Sequence, residues 1–492
     1  MRASLLSTSS ETPGALHRPS AAEIDPSCRW PFLALVLPAV CWLVLGTLLS
    51  LIVAIKFHSA GFLADSPWLT LGRLRPAATN CFLFGFASPT AMGVALWLLC
   101  RLGAVRLGFQ WPLVVAAKFW HLGVLVGVWA VLAGGSTGFE WLEMPRYAAG
   151  ILFVAYALYG VCALATFAVR QERELYPSQW FLLVALFWFP WVYSAANYLL
   201  VLDPVRGALQ AAVAAWYSGN FLGLWLAPVC FAVIYYFVPK LTGQALHSRE
   251  LAAFAFWTLV FFGGFAGLAS LTGGPVPRWL PSVGTAGTIC MLVPLVSHAL
   301  NWHWTNAGNS NAWRHDAILR FVLFGAACFL LHGLLSVVIA FPPISRLTSL
   351  TYANVGRSYL ALHGFVASVL FGAAYYILPR VLGAAWPKPQ WIGRHFTLAA
   401  AGALLLFVSL TAGGIAQGAK LANPNIPFLA IMQGTIPFIG MSTLGVLLLL
   451  AGQLLFLGNV HLLMWGFCRP VWQAICAECC PGFAAVKAGG KP

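Results

Sequence analysis

Long apolar runs separated by short polar connections fill the chain between residues 32 and 465. Twelve of them reach the roughly 20 residues that an α-helix needs to cross a bilayer. They lie at roughly 32–56, 77–100, 112–134, 147–169, 178–201, 209–238, 251–272, 281–302, 317–341, 357–379, 395–416 and 436–465. The runs are continuous rather than alternating, which favours helices over a membrane barrel. The pattern predicts an all-α polytopic membrane protein. Its expected organisation is a disordered, Ser/Pro-rich tail over residues 1–31, a twelve-helix domain over 32–466 and a Cys-containing tail over 467–492. Connections this short leave no room for a second soluble domain.

Composition agrees: 61% of the 492 residues are hydrophobic and 8% charged, far outside soluble proportions. A net charge of +15 would suggest nucleic acid for a soluble protein. In a membrane chain it is better read by the excess of Lys and Arg on cytoplasmic connections. With both termini in the cytoplasm, 17 of the 27 basic residues fall in the tails and even-numbered connections and nine on the other side. The remaining one, Lys118, lies inside the third run. The expected partner is therefore the lipid bilayer, and no nucleic acid.

Three basic residues close equivalent runs. Arg101, Lys240 and Arg380 stand 139 and 140 residues apart (240−101, 380−240), each followed within three positions by glycine. The last two share more, Tyr235-Tyr-Phe-Val-Pro-Lys240 against Tyr375-Tyr-Ile-Leu-Pro-Arg380. That period is too long for a solenoid unit. Four helices separate successive markers, and an even number preserves orientation. The repeat predicts three arcs of four helices related by a pseudo-threefold axis along the membrane normal.

Several motifs around these helices resemble the catalytic subunit I of the cbb-type (C-family) heme–copper cytochrome c oxidases. Trp68-Leu-Thr-Leu-Gly-Arg-Leu-Arg-Pro-Ala-Ala-Thr-Asn80 is similar to the family's W-L-T-x-G-R-L-R-P-L-H-T-N. Trp216-Tyr-Ser-Gly-Asn220 resembles W-Y-G-H-N, and Asp316-Ala-Ile-Leu-Arg-Phe321 resembles D-P-I-L-K/R-F. Gly413-Gly-Ile-Ala-Gln-Gly418 is similar to the late G-I-T-Q-G segment. The resemblance runs in order from about residue 68 to about 460. It implies twelve helices, cytoplasmic termini, a bacterial inner membrane and other membrane or cytochrome-type subunits as partners.

The same resemblance shows what is missing. The family's low-spin heme histidine falls on Ala78 and its first copper histidine on Gly219. Phe265-Ala-Gly-Leu-Ala-Ser-Leu-Thr272 stands where the family has W-A-G-P-H-H-L-H, so two further copper histidines fall on Ala269 and Ser270. The family's cross-linked tyrosine falls on Gly263, the H-V-H of the tenth helix on Arg357-Ser-Tyr359, and a ninth-helix glutamate on Leu335. Copper at such a site needs imidazoles and heme iron needs axial donors, which Ala, Gly and Ser do not supply. Arginine cannot be deprotonated to ligate. No cofactor is expected at the family's sites, and no catalytic residue is assigned. Gly219/Gly223 and Gly263/Gly267 form G-x-x-x-G pairs, so these helices are expected to pack together where copper would lie.

Other candidate chemistry is sparser. His332 and His363 lie on the ninth and tenth runs, where a bis-histidine heme is chemically reasonable, against the plainer reading of packed histidines bonded to neighbouring helices. Cys468, Cys476, Cys479 and Cys480 are a candidate zinc or iron–sulfur cluster, although adjacent cysteines fit one tetrahedral ion poorly. Lys118 and His121 share a helix face, read as a snorkelling lysine beside a satisfied histidine. None of the 12 Asp and Glu lies deep in a run, which argues against a proton pump. The expected function is a non-catalytic scaffold or partner subunit of a respiratory-type complex. The alternatives are an electron-transfer or oxygen/nitric-oxide-reactive heme subunit using relocated histidines, or a channel or transporter using the vacated interior.

Overall fold

A computed structural model describes residues 18–479. Among the described residues, twelve helices are long and apolar enough to cross a membrane: span 1 Arg29–His58, span 2 Leu71–Gly103, span 3 Gln110–Ala133, span 4 Arg146–Ala168, span 5 Pro177–Leu202 and span 6 Ala208–Thr242. Span 7 is Arg249–Leu271, span 8 Trp279–Ala307, span 9 Ala317–Ala340, span 10 Tyr352–Leu382, span 11 Pro389–Leu421 and span 12 Phe428–Pro470. Each matches one apolar run, with most ends extended by polar residues that apolarity does not mark.

The repeat is visible in three dimensions. Spans 2, 6 and 10 are 100%, 83% and 94% buried across their apolar windows, whereas every other span lies between 24% and 61%. These three make the inner ring, and the marker residues sit at their ends. Each also contains a π-helical segment, Cys81–Ala87, Phe221–Leu226 and Leu360–Ala367. The starts are 140 and 139 residues apart (221−81, 360−221). A π-turn is uncommon and recurs at functional positions. In the first two modules a buried asparagine precedes it. Asn80 Nδ2 donates to Pro76 O at 2.8 Å and Asn220 Nδ2 to Trp216 O at 2.8 Å. The third module has Tyr359 there.

At the marker end the inner helices converge on aromatic rings four residues before each marker. Trp97 packs 5.7 Å from Tyr236 and 5.9 Å from Tyr376, centroid to centroid. Arg101 and Arg380 lie over Trp97 and Tyr376, at 5.4 and 3.3 Å from the ring centroids. Cation–π contacts let a basic residue close an aromatic core without an acid beside each one.

Two expectations about the tails need correction. Residues 1–17 lie outside the described residues, but Ala21–Ser27 is helical and leads directly into span 1. Ile24 and Cys28 are 3% and 1% exposed, and Asp25 accepts from Trp97 Nε1 at 2.9 Å and pairs with Arg101 at 3.4 Å. This segment caps the inner ring instead of forming a free tail, because Ile24, Asp25 and Cys28 are buried against it. The final helix runs Phe428–Cys479, past the expected end at 466.

Candidate functional site

Spans 6 and 7 touch backbone to backbone at the glycines. A Cβ on Gly219 would lie 2.5 Å from Gly267 Cα, and one on Gly267 would lie 2.4 Å from Ala215 O. Gly263 packs against Leu224, where a Cβ would meet Cδ2 at 3.2 Å, while Gly223 faces open space. So one member of the span 6 pair makes the close approach that small residues permit. Beyond Ala266 the α-helix tightens into a 3₁₀ segment, Gly267–Leu271, carrying the half-buried Ala269 and the exposed Ser270. Ser270 Oγ donates to Gly267 O at 2.9 Å and takes no place in the interior. Glycines at 263, 264 and 267 favour the α-helix least, which explains its early end.

The span 10 positions gather a polar cluster. Arg357 Nη1 donates to Ser336 Oγ of span 9 at 3.0 Å, and the Ser336 hydroxyl donates to His332 O at 2.7 Å. His332 lies against the Arg357 carbonyl, whereas the His363 ring stacks on Tyr359 at 5.4 Å and packs 4.5 Å from Phe82 of span 2. The two histidines thus serve different neighbours. Ala78 is 4% exposed on span 2, its carbonyl 3.1 Å from where Gly46 of span 1 would carry a Cβ. The six positions given by the resemblance therefore fall into separate groups: 78 against span 1, 219 against 267, 269 and 270 on the 3₁₀ segment of span 7, 357 bonded to span 9, and 359 packed with spans 1, 11 and 12.

Two tyrosine–histidine pairs occupy the core. Tyr235 Oη lies 2.9 Å from His298 Nδ1, and Tyr375 Oη lies 3.0 Å from His395 Nδ1. Their surroundings repeat at 140 residues. Phe181 stacks on Tyr235 at 5.5 Å and Phe321 on Tyr375 at 5.8 Å; Phe231 packs on His298 at 4.6 Å and Phe371 on His395 at 4.5 Å. The tyrosines come from equivalent helices and the histidines from spans 8 and 11, which are not equivalent, so spacing alone gives no sign of the pairs. Replacing Tyr235 or Tyr375 by Phe leaves a buried imidazole nitrogen unpaired, with an expected loss of about 1–3 kcal/mol each. Melting of the two variants in detergent checks this; a neutral Phe at either place would mean the pair is not stabilising.

A surface cavity of about 660 Å³ opens at the end opposite the markers, bordered by Arg75, Thr79, Glu140, Trp141 and Glu143 among others. Glu143 sits in the connection between spans 3 and 4 yet is only 8% exposed, and Asn80 Nδ2 donates to its Oε2 at 2.9 Å. Burial pushes this carboxyl up to about 7, opposed by the Asn80 bond. The folded value exceeds the unfolded 4.5, so the native state holds the proton more tightly. The contribution of Glu143 to stability is therefore fully present below pH 4.5, falls as pH rises toward 7, and is level above it. The decline amounts to about 3 kcal/mol. Glu143→Gln is expected to flatten the melting profile between about pH 5 and pH 8. An unchanged slope would assign the titration elsewhere.

The remaining candidates are plainer. His121 Nε2 lies 3.0 Å from Leu35 O on span 1, and Lys118 is exposed on the outer face of span 3. Cys468 is exposed on the last helix, whose backbone continues through Cys476 and Cys479; Cys480 lies outside the described residues. Among the described residues no three His, Cys, Asp or Glu side chains are grouped to hold a metal.

Twelve spans with a buried ring of three define the heme–copper oxidase subunit I fold. A structure of a heme–copper terminal oxidase dimer superposes with a TM-score of 0.72 at 15% identity, covering 88% of this chain and 83% of that one. The family described as cytochrome c and quinol oxidase polypeptide I matches residues 31–448, and the chain belongs to it as a divergent cbb3-type subunit I. A cbb3-type cytochrome c oxidase subunit of Stutzerimonas stutzeri is 27% identical over 392 residues, 77% of this chain and 81% of that protein. A cytochrome c oxidase subunit 1 homolog of Azorhizobium caulinodans is 26% identical over 444 residues, 86% of this chain and 80% of its own length. A bacteroid homolog of Bradyrhizobium diazoefficiens is likewise 26% identical over 444 residues, again 86% and 80%.

This fold implies heme and copper, and Gly219 tests whether they fit. Position 219 cannot project any side chain, ligating or not, without displacing the Gly267 backbone. Beside it Ala269 offers no donor, and the Ser270 hydroxyl is spent on a carbonyl at the surface. These residues do not fit a copper ion between spans 6 and 7.

Proposed function

We propose that this subunit I homologue has kept the oxidase fold and lost its redox centre, and that it serves as a non-catalytic scaffold or partner subunit in a respiratory-type membrane complex. The observation that carries this reading is the contact of Gly219 with Gly267, at the place where the resemblance puts the first copper histidine. Support comes also from Ala78, Ala269, Ser270, Arg357 and Tyr359, none of which supplies an imidazole. No proton or electron step is assigned to it. The inner ring is packed in the core, and the other nine spans carry the outward faces on which partner subunits could dock. The distribution of 17 basic residues against nine supports cytoplasmic termini, and the bacterial relatives support an inner-membrane location.

Gentle solubilisation from the host's own membranes tests the scaffold role. The chain is expected to migrate in a stoichiometric complex with cytochrome-bearing subunits, and heme stain is expected to follow those subunits. Recovery of the chain alone as a monodisperse species would contradict the proposal.

A further inference from the structure

Spans 9, 10 and 11 gather four buried polar atoms that lack a hydrogen-bond partner: His332 Nδ1, Asn354 Oδ1, Arg357 Nε and Thr411 Oγ1. They form one neighbourhood. Asn354 lies one helical turn before Arg357, and Thr411 Oγ1 stands 2.7 Å from where Gly356 would carry a Cβ. His332 lies against the Arg357 carbonyl. Folded proteins leave few buried polar groups unpaired, and each one calls for a water or ion. A charged side chain within a span adds to that, because such residues mark binding sites or pathways.

The guanidinium sharpens the chemistry. Arg357 takes part in none of the ion pairs among the described residues. Glu140 is within electrostatic reach, beyond pairing distance. Ser336 occupies Nη1, which leaves the Nε–Nη2 edge free. That edge offers two parallel N–H donors, the fork that matches two oxygens of one carboxylate or phosphate. The Thr411 hydroxyl adds a neutral donor, while the Asn354 Nδ2 is already given to Thr348 O at 3.5 Å.

We propose that Arg357 holds an oxyanion of the carboxylate or phosphate class on its Nε–Nη2 edge, with the Thr411 hydroxyl as the neighbouring neutral donor. Arg357 is the sixth residue of span 10, close to one membrane face. The oxyanion is therefore either a free small anion or the phosphate of an anionic lipid headgroup, and both present the same atoms.

Two arms on the purified full-length protein test the site and separate these sources. In delipidated detergent micelles, phosphate and acetate are titrated and thermal stabilisation is read. In parallel, native mass spectrometry counts phosphatidylglycerol retained from mixed micelles against phosphatidylcholine. Saturable stabilisation in the first arm or one retained anionic lipid in the second supports the site and names its source. Arg357→Gln is expected to abolish the effect, and Arg357→Lys to weaken it by about tenfold because an ammonium lacks the fork. If the Gln variant does not fold, the Lys variant and Thr411→Val carry the comparison. The proposal is overturned if neither arm saturates, or if the folded variants bind as tightly as the wild type.

Discussion

Gly219→His is expected to destabilise the protein severely rather than return a metal ligand. A β-carbon alone would stand 2.5 Å from Gly267 Cα and 3.0 Å from its nitrogen, so spans 6 and 7 must separate before the imidazole is even placed. Overpacking a tight interior typically costs about 1–3 kcal/mol per substitution, and a ring driven into backbone exceeds the effect of a methyl group. Gly219→Ala should therefore lower the melting temperature, and Gly219→His should lower it further and reduce monodisperse yield. Gly223→Ala is the control. It faces open space on the same helix and should gain up to about 1 kcal/mol of helix propensity. A Gly219→His protein as stable as wild type would mean that the two helices are free to part, and the closed reading of this interface would fail.

Asp25→Asn is the second large effect. Its carboxylate is 12% exposed, accepts from Trp97 Nε1 at 2.9 Å and lies 3.4 Å from Arg101, itself 15% exposed. Removing one partner of a well-buried ion pair costs about 3–5 kcal/mol because the other charge is left uncompensated. The partial exposure here brings the expectation down to about 2–3 kcal/mol. The loss would be felt at the convergence of the inner ring, since Trp97 touches both Tyr236 and Tyr376. A double-mutant cycle with Arg101→Gln should show positive coupling, the pair together costing less than the two singles summed. Zero coupling would mean that Asp25 and Arg101 stabilise the protein independently.

Much of the architecture is written in patterns that a single sequence exposes. Apolar run length locates the twelve spans, and the spacing of Arg101, Lys240 and Arg380 locates the inner ring, because both are one-dimensional consequences of membrane thickness and duplication. The π-helical segments are not written there: nothing in Cys81–Ala87 or Phe221–Leu226 distinguishes them locally from α-helix. Ile24 and Cys28 are too few to register as an apolar run, so the helix they anchor reads as tail. Glu143 looks like a loop residue until Asn80, 63 positions earlier, is seen to close over it. The histidine pairs escape for a related reason, since His298 and His395 reach equivalent tyrosines from non-equivalent helices. For the candidate site, the small residues at 219 and 267 announce close packing. The exposure of Ser270 does not follow from its motif, because it depends on where the α-helix of span 7 gives way.

The most direct test of the lost redox centre is the visible spectrum and the metal content of the protein, purified in mild detergent from heme-replete cells. The account predicts no Soret band belonging to this chain, with iron and copper each well below one per chain. A Soret band accompanied by one or more heme irons per chain, or copper at one per chain, would contradict it.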